Sequence, residues 1–136
     1  MVTKSIVVAY SIKVSDIIES ICRHYNRLTN ADVQPEELYS NTRRAHPVRV
    51  RYIIFHILQK RTSMTYEQIG SLFNKSYSSV SYGIRTIRDE MEVYRSIEEI
   101  VRSVEEALPL PEDLRNYAYD DNKLMKIYKN EKLQNQ

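Results

Sequence analysis

The side chains with the clearest chemical capability lie in one segment, residues 65–91, which reads TYEQIGSLFNKSYSSVSYGIRTIRDEM. One side of its second half carries an aromatic ring, two hydroxyls and a cation, which are Tyr77, Ser78, Ser81 and Arg85. These are the side-chain types that reach base edges and phosphates when the N-terminus of a helix enters the major groove of DNA. The set therefore predicts recognition of a polyanion without covalent chemistry.

Two helices joined by a sharp corner are needed to position these side chains. Thr65 and Gln68 have the spacing of a capping box, which predicts the start of the first helix. Its apolar residues point to one side and are Ile69, Leu72 and Phe73. Asn74 and Lys75 interrupt the pattern, and Ser76 can cap a second helix. Apolar residues recur there at steps of four, three and four, at Val80, Ile84, Ile87 and Met91. The pattern predicts a helix-turn-helix.

Charge is distributed unevenly along the chain. Residues 40–88 contain nine basic residues and the single acid Glu67, a net charge of +8. Residues 89–113 contain nine acids and two arginines, a net charge of −7. The overall charge of +2 conceals this separation, which is typical of a polyanion-binding face on the basic half. The alternative is a solvated basic surface that pairs with an acidic helix at residues 97–108.

Composition indicates the class of protein. The chain has 136 residues, 42% of them hydrophobic and 28% charged, the mix of one soluble domain with one core. Two glycines and four prolines leave little material for β-turns, so the expected fold is all-α, a compact helical bundle. Cys22 is the only cysteine and cannot form an internal disulfide. With no secretory segment and no apolar run of the ~20 residues that a bilayer requires, a cytoplasmic location is expected, with no membrane contact.

The pattern divides the chain into three parts. Residues 1–14 are an N-terminal arm, in which the apolar run 5–12 either is mobile or docks on the core. Residues 15–108 form the helix-turn-helix domain. Residues 109–136 are a C-terminal loop and helix extension, with a last helix at 121–133.

Further helices are predicted inside the central part. The first runs over about residues 15–26 with Ser15 or Asp16 as its cap, and a short one covers Pro35–Tyr39. After a loop with two arginines, a third runs from residue 47 to residue 60. The last follows a capping box of Ser96 and Glu99 and covers residues 97–108.

Several of these features occur together in a known order. The order is an acidic-leucine turn, a basic loop, two arginines opening an apolar helix, TYEQIGSLF, a short polar turn and SSV before a basic-apolar helix. The first of these features are Glu36, Glu37, Leu38, Arg49 and Arg51. In this respect residues 21–108 resemble the C-terminal DNA-binding domain of the bacterial replication initiator DnaA. The resemblance implies a Trp-repressor-like helix-turn-helix, double-stranded DNA as the partner and no small-molecule substrate.

The resemblance also implies roles for individual residues. After the phenylalanine the family reads Gly-Gly-Arg-Asp-His-Thr-Thr-Val, and here the shorter phrase is NKSYSSV. Lys75 then takes the place of an arginine near phosphate, and Ser78 and Ser79 keep the hydroxyls of two threonines that face DNA. Tyr77 stands where a base-reading histidine is expected, and Ser76 where an aspartate is. Since a phenol and an imidazole present different shapes and donors to a base edge, the family's recognition sequence is not expected to carry over unchanged.

Arg51 matches the arginine that the family inserts into a minor groove, a contact favoured where that groove is narrow. The predicted DNA-contacting residues all lie in the loop with two arginines, the start of the third helix or the helix-turn-helix. They are Arg43, Arg44, Arg49, Arg51, Tyr66, Lys75, Ser76, Tyr77, Ser78, Ser79, Ser81 and Arg85.

No enzyme activity, cofactor or metal is predicted. The three histidines are scattered, at positions 24, 46 and 56, and Cys22 is expected in the core. The only glycines are Gly70 and Gly83, so the Gly-rich phosphate loop of an ATP-binding motor is absent and ATP hydrolysis by that mechanism is not expected.

Two functions remain open at this point. The first is sequence-specific binding of double-stranded DNA in replication initiation or its regulation, or as a transcription regulator. The second is a protein-interaction module that keeps the fold and binds a partner through the C-terminal extension. Its contacts would be the tyrosines of that extension, Tyr117, Tyr119 and Tyr128.

Overall fold

A computed structural model describes residues 9–108 and 110–127. The helical body of this part consists of α1 (Val14–Thr29), a 3₁₀ turn (Pro35–Tyr39), α2 (Ala45–Arg61), α3 (Tyr66–Ser71), α4 (Tyr77–Val93) and α5 (Arg95–Glu106). An antiparallel sheet of β1 (Ala9–Lys13), β2 (Tyr117–Asp120) and β3 (Lys123–Ile127) packs beside it in the order β1-β3-β2. The helical class predicted from the sequence is confirmed for the body, and the sheet was not predicted.

Helix α2 lies at the centre of the body. It packs against α1, α3, α4 and the 3₁₀ turn. Its apolar residues are almost completely buried on several faces, and they are Val50, Ile53, Ile54, Phe55, Ile57 and Leu58. A helix that is apolar on more than one face belongs inside a core. The residues that begin α2 are therefore fixed relative to α4, which packs along it.

The corner between α3 and α4 is built from local interactions, as the sequence predicted. Thr65 Oγ1 accepts a hydrogen bond from Gln68 N (3.1 Å), and Gln68 Oε1 accepts one from Thr65 N (2.8 Å), which completes the capping box. Asn74 has φ 55°, a left-handed conformation that asparagine tolerates. Lys75 N then donates to Gly70 O (2.9 Å), which closes the end of α3 in the manner of a Schellman motif.

Helix α4 begins where its cap was predicted. Ser76 Oγ accepts from Ser79 N (3.1 Å). Val80, Ile84 and Ile87 are buried and Met91 is half-buried, so the stripe of apolar residues faces the core. The opposite face of the first turns of α4 is left accessible.

Two predicted caps are wrong. Helix α1 begins at Val14 after Lys13, and neither Ser15 nor Asp16 is its cap, because Val14 N donates instead to Asn122 O (3.0 Å). The helix also continues to Thr29, beyond the predicted end at residue 26.

Helix α5 begins at Arg95 with Tyr94 as N-cap, and the Ser96 capping box does not form. The reason is the tight connection between the two helices. Tyr94 N donates to Glu90 O (2.8 Å) at the end of α4, while Tyr94 O accepts from Ile97 N (3.1 Å) at the start of α5. One residue therefore ends one helix and begins the next, which leaves no room for a cap at Ser96.

The predicted helix at 121–133 is also wrong within the described residues. Residues 123–127 form β3, and Asp121 and Asn122 make the turn after β2 with φ 49° and 64°. Positive φ at both central residues is the requirement of a type I′ hairpin turn, here met without glycine. Leu124 is fully buried and pairs with Ile12 of β1. The N-terminal run therefore docks on the body from Ala9 onward, while residues 1–8 and 128–136 lie outside the described residues.

Candidate nucleic-acid interface

A groove of about 780 Å³ separates the N-terminus of α4 from the segment before α2. That segment, residues 40–44, is called the basic loop below. The groove is lined by polar and cationic side chains near the surface and by aromatic rings on the α2 and α4 sides. They are Asn41, Thr42, Arg43, Val48, Arg51, Tyr52, Phe55, Lys75, Ser78, Ser79 and Tyr82.

From the first two turns of α4, Ser78, Ser79 and Tyr82 line one wall of this groove, and Tyr77, Ser81 and Arg85 lie outside that lining. Tyr77 is 54% exposed, and Ser78, Ser79 and Arg85 are exposed as well, while Ser81 is half-buried. The Tyr77 ring lies against the ring of Tyr66 from α3, with 5.2 Å between the ring centroids. Because free backbone N–H groups and the helix dipole make an N-terminus electropositive, this wall suits a phosphate or a base-edge acceptor.

The basic loop forms the opposite wall. Thr42 N donates to Ser40 Oγ (3.2 Å), and Arg44 N donates to Thr42 Oγ1 (3.2 Å). Each of these two backbone amides is therefore bonded to the hydroxyl two residues before it. Arg44 pairs with Glu37 of the 3₁₀ turn. Arg43 is exposed and has no acidic partner among the described residues. Of the two loop arginines, Arg43 alone keeps its charge unneutralised.

The side chain of Arg51 is mostly buried, whereas the resemblance implied an arginine that enters a minor groove. The residue is only 7% exposed, and its guanidinium donates from Nε to Leu38 O (3.0 Å) and from Nη2 to Ser40 O (3.2 Å). Burial lowers the pKa of this arginine below its usual value. To reach into a minor groove, this side chain would have to leave its backbone partners, and the minor-groove contact stays a prediction.

Other predicted cations are also engaged within the protein. Arg49 is half-buried on α2, with its Nε 3.8 Å from Glu90 Oε1 on α4. Lys75 Nζ donates to Ser40 O (2.9 Å) and to Asn41 Oδ1 (3.1 Å). Lys60 Nζ lies 3.1 Å from Glu105 Oε1 on α5. Of the contacts named in this paragraph, only this ion pair joins the basic half to the acidic helix at residues 97–108. The charge separation in the sequence therefore overstates the free positive charge at the groove.

The comparisons with known proteins cover the same region. Residues 14–87 match the family model described as "Bacterial dnaA protein helix-turn-helix". That range is more than half of the chain and contains the basic loop, α2, α3 and the first turns of α4. The chain belongs to the bacterial DnaA helix-turn-helix family. The prediction made from residue order is thereby confirmed.

Individual relatives carry the name "Chromosomal replication initiator protein DnaA". The protein of Mycoplasma genitalium is 30% identical over 88 residues, which cover 65% of this chain and 19% of that protein. The protein of Oleidesulfovibrio alaskensis is 35% identical over 75 residues, 55% of this chain and 15% of that protein. The Bacteroides thetaiotaomicron protein is 22% identical over 99 residues. The match spans about a fifth of the length of these DnaA relatives.

The aromatic part of the groove, Tyr52 and Tyr82, was not predicted from the sequence. Their rings meet edge to face, with 6.2 Å between the ring centroids. One signal for Tyr52 was available, since Gly83 lies inside a helix where glycine is unfavourable. A Cβ at Gly83 would lie 2.6 Å from Tyr52 Cδ1, so the absence of a side chain at this glycine permits the close approach of α2.

The tyrosines of the C-terminal extension and Cys22 were also singled out in the sequence. Tyr117 is buried, and Tyr119 donates its hydroxyl to Asn122 (3.0 Å), whereas Tyr128 lies outside the described residues. Cys22 is buried in the core, and burial raises the pKa of its thiol to about 12, so it stays protonated. Within the described ranges, none of the helices combines the length and apolar character that crossing a bilayer requires.

His56 gives the fold a pH dependence. The ring is buried between α2 and α4, Nδ1 accepts from Arg88 Nε (3.2 Å), and Nε2 has no hydrogen-bond partner within the described residues. Burial first, and the Arg88 charge second, lower the pKa of His56 to about 4. Between pH 6.5 and 4 the unfolded chain therefore binds a proton that the folded chain excludes, and stability falls as the pH falls through this window.

We expect this histidine to account for roughly 1–3 kcal/mol of lost stability between pH 7 and pH 4. Urea unfolding of the wild type and of His56→Gln at several pH values measures the difference. Carboxylates titrate in both proteins, so the informative quantity is the difference between the two curves. Parallel curves over this window would show that His56 does not carry the effect.

Proposed function

We propose that this chain binds double-stranded DNA sequence-specifically, with the N-terminus of α4 in the major groove and the basic loop on the adjoining backbone. The observation that carries this proposal is the exposed first turn of α4. The N-cap at Ser76 is formed, Tyr77 and Ser78 are exposed, and Ser78 lines the same groove as Arg43, which has no acidic partner among the described residues. A surface with hydroxyl, aromatic and cationic groups and no acid on its walls fits a nucleic acid.

The side chains divide into two kinds of contact. Tyr77, Ser78 and Ser81 are proposed to read base edges, since they lie on the part of the helix that enters the groove. Arg43 and Arg85 are proposed to contact phosphates, which fixes the position of the protein without reading sequence. Ser76 and Ser79 hold each other through a hydroxyl contact of 3.2 Å and maintain the cap.

The biological setting is proposed from the relatives. They are named as chromosomal replication initiators, so a role in replication initiation or its regulation is the first choice. Control of transcription by the same DNA contact is the second. In either role this chain would supply the DNA-binding step.

Binding is tested by a gel-shift titration with mixed-sequence duplex at two salt concentrations. Proteins that neutralise several phosphates lose affinity steeply as salt rises, because bound counterions are released on association. We expect a shift at low salt that weakens strongly at high salt. Selection of bound duplexes from a random pool then yields the preferred site. No shift at either salt concentration would overturn the proposal.

Replacing Arg43 by Ala should reduce the slope of log K against log salt by about 0.9 per lost phosphate contact, for all duplexes alike. Arg44→Ala is the matched control, because its charge is already paired with Glu37 and its loss should change the slope less. The measurement is a salt series of gel shifts for both variants. A slope for Arg43→Ala equal to that of the wild type removes this residue from the interface.

A further inference from the structure

We infer that Arg51 and Lys75 form a clamp on the carbonyl oxygen of Ser40, which fixes the basic loop beside α4, so that both residues position the loop and neither contacts DNA. Only the expected effect of the clamp on DNA binding rests on the proposed function. The contacts of the clamp themselves lie within the protein. This assignment replaces the minor-groove and phosphate roles that the family resemblance implied for the two residues.

The two cations come from different elements and meet at one acceptor. Arg51 reaches Ser40 O from α2 with its Nη2 at 3.2 Å, and Lys75 reaches the same oxygen from the corner between α3 and α4 with its Nζ at 2.9 Å. The carbonyl ends of a helical turn lack partners within that turn. The clamp thus satisfies acceptors at the end of the 3₁₀ turn and joins three elements at the first residue of the basic loop.

Each cation also holds a neighbouring acceptor. Arg51 Nε donates to Leu38 O at 3.0 Å, where Leu38 is fully buried, and Lys75 Nζ donates to Asn41 Oδ1 at 3.1 Å. Hydrogen bonds from charged donors are stronger than neutral ones. Moving Arg51 to a phosphate would break its buried bond to Leu38 O and leave that carbonyl oxygen without this partner, which is costly, while moving Lys75 would give up its bonds to Ser40 O and Asn41 Oδ1.

The surroundings of the two side chains support a role inside the protein. Neither pairs with a carboxylate among the described residues, and two like charges are held close together by backbone dipoles. Burial first, and the Arg51 charge second, lower the pKa of Lys75, and burial lowers that of Arg51. Arg43 is two residues beyond Asn41, so its position at the groove depends on the residues that the clamp holds.

The first test needs no DNA. Hydrogen exchange of the Thr42 and Arg44 amides in the full chain reports on the loop, because both amides are bonded to loop hydroxyls. Lys75→Met removes half of the clamp at a partly exposed position, and Arg51→Lys keeps the charge but loses the planar fork that reaches two carbonyls. We expect at least about tenfold faster exchange of these amides in both variants, relative to α2 amides of the same protein.

The second test separates a positioning role from a contact. We expect Lys75→Met to bind mixed duplex several-fold more weakly and to lose at most the slope of the Arg43 contact, about 0.9, because the loop that places Arg43 is released. A phosphate contact made by Lys75 itself would instead add to that of Arg43, so the double variant with Arg43→Ala would lose about twice 0.9. Arg43→Ala made in the Lys75→Met background should cost less affinity than in the wild type, because the loop is no longer held in place.

The outcomes distinguish the two proposals. Unchanged loop exchange in Lys75→Met, or slope losses of Lys75→Met and Arg43→Ala that add up in the double variant, overturns the clamp even if the protein binds DNA. If Arg51→Lys does not fold, the Lys75→Met arm decides alone. Faster loop exchange in a protein that gives no gel shift supports the clamp and overturns only the proposed DNA binding.

Discussion

Gly70→Ala is expected to destabilise the protein by roughly 2–4 kcal/mol, the cost of forcing a methyl group into a space that backbone already occupies. The added Cβ would fall onto the carbonyl oxygen of Lys75 and would lie 3.3 Å from Val80 Cγ2. A carbonyl oxygen cannot rotate away as a side chain can. The corner between α3 and α4 would have to open and lose the bond from Lys75 N to Gly70 O.

Urea unfolding of the variant measures this effect. Glu67→Ala is the matched control, since it is an exposed position on the same helix and should change stability by less than about 0.5 kcal/mol. Because the corner also carries Lys75, the amides of the basic loop should exchange faster in Gly70→Ala. A variant as stable as the control would show that the close approach at Gly70 does not constrain the corner.

Tyr77→Ala is expected to cost about 1–3 kcal/mol of binding free energy on the preferred duplex and to leave nonspecific affinity nearly unchanged. The reason is that base contacts specify the sequence, whereas phosphate contacts position the protein. The measurement is the ratio of affinities for the selected duplex and for a mixed duplex. Tyr94→Ala is the control, because Tyr94 is 57% exposed and lies at the far end of α4.

The contact between Tyr66 and Tyr77 extends this prediction. If Tyr66 holds the Tyr77 ring at its angle, Tyr66→Ala should lower the same ratio, and the double variant should lose less than the sum of the two single losses. Additive losses would assign the two tyrosines independent roles. A folded Tyr77→Ala protein that keeps the full ratio would show that α4 is not the recognition helix.

The helix-turn-helix could be predicted from the sequence because its signals are local. The capping box of Thr65 and Gln68 and the cap at Ser76 act over three residues, and the apolar stripe of α4 repeats within a few turns. The sheet could not be predicted in this way. Leu124 and Met125 pair with Ile12 and Ser11 more than one hundred residues earlier, and this pairing overrides a spacing that also fits a helix.

The proposed DNA-contacting residues were chosen from the sequence by side-chain type, because the sequence does not show which of them are free of partners inside the protein. The sequence shows that Arg43, Arg44 and Arg51 are close together, but an arginine bonded to buried carbonyls and an arginine facing solvent look alike in a charge count. The difference between them depends on where the 3₁₀ turn ends relative to α2. That relation is tertiary, and only the structure shows that Arg51 is engaged while Arg43 has no acidic partner in the part of the chain that the structure describes.

The proposed interface is tested by an amide chemical-shift map of the full chain titrated with duplex DNA. The largest changes should fall on the basic loop, residues 40–44, and on the first turns of α4, residues 77–85, with β2, β3 and the outer face of α5 nearly unchanged. Changes centred on β2, β3 or α5, or no change at all under conditions of low salt, would contradict it.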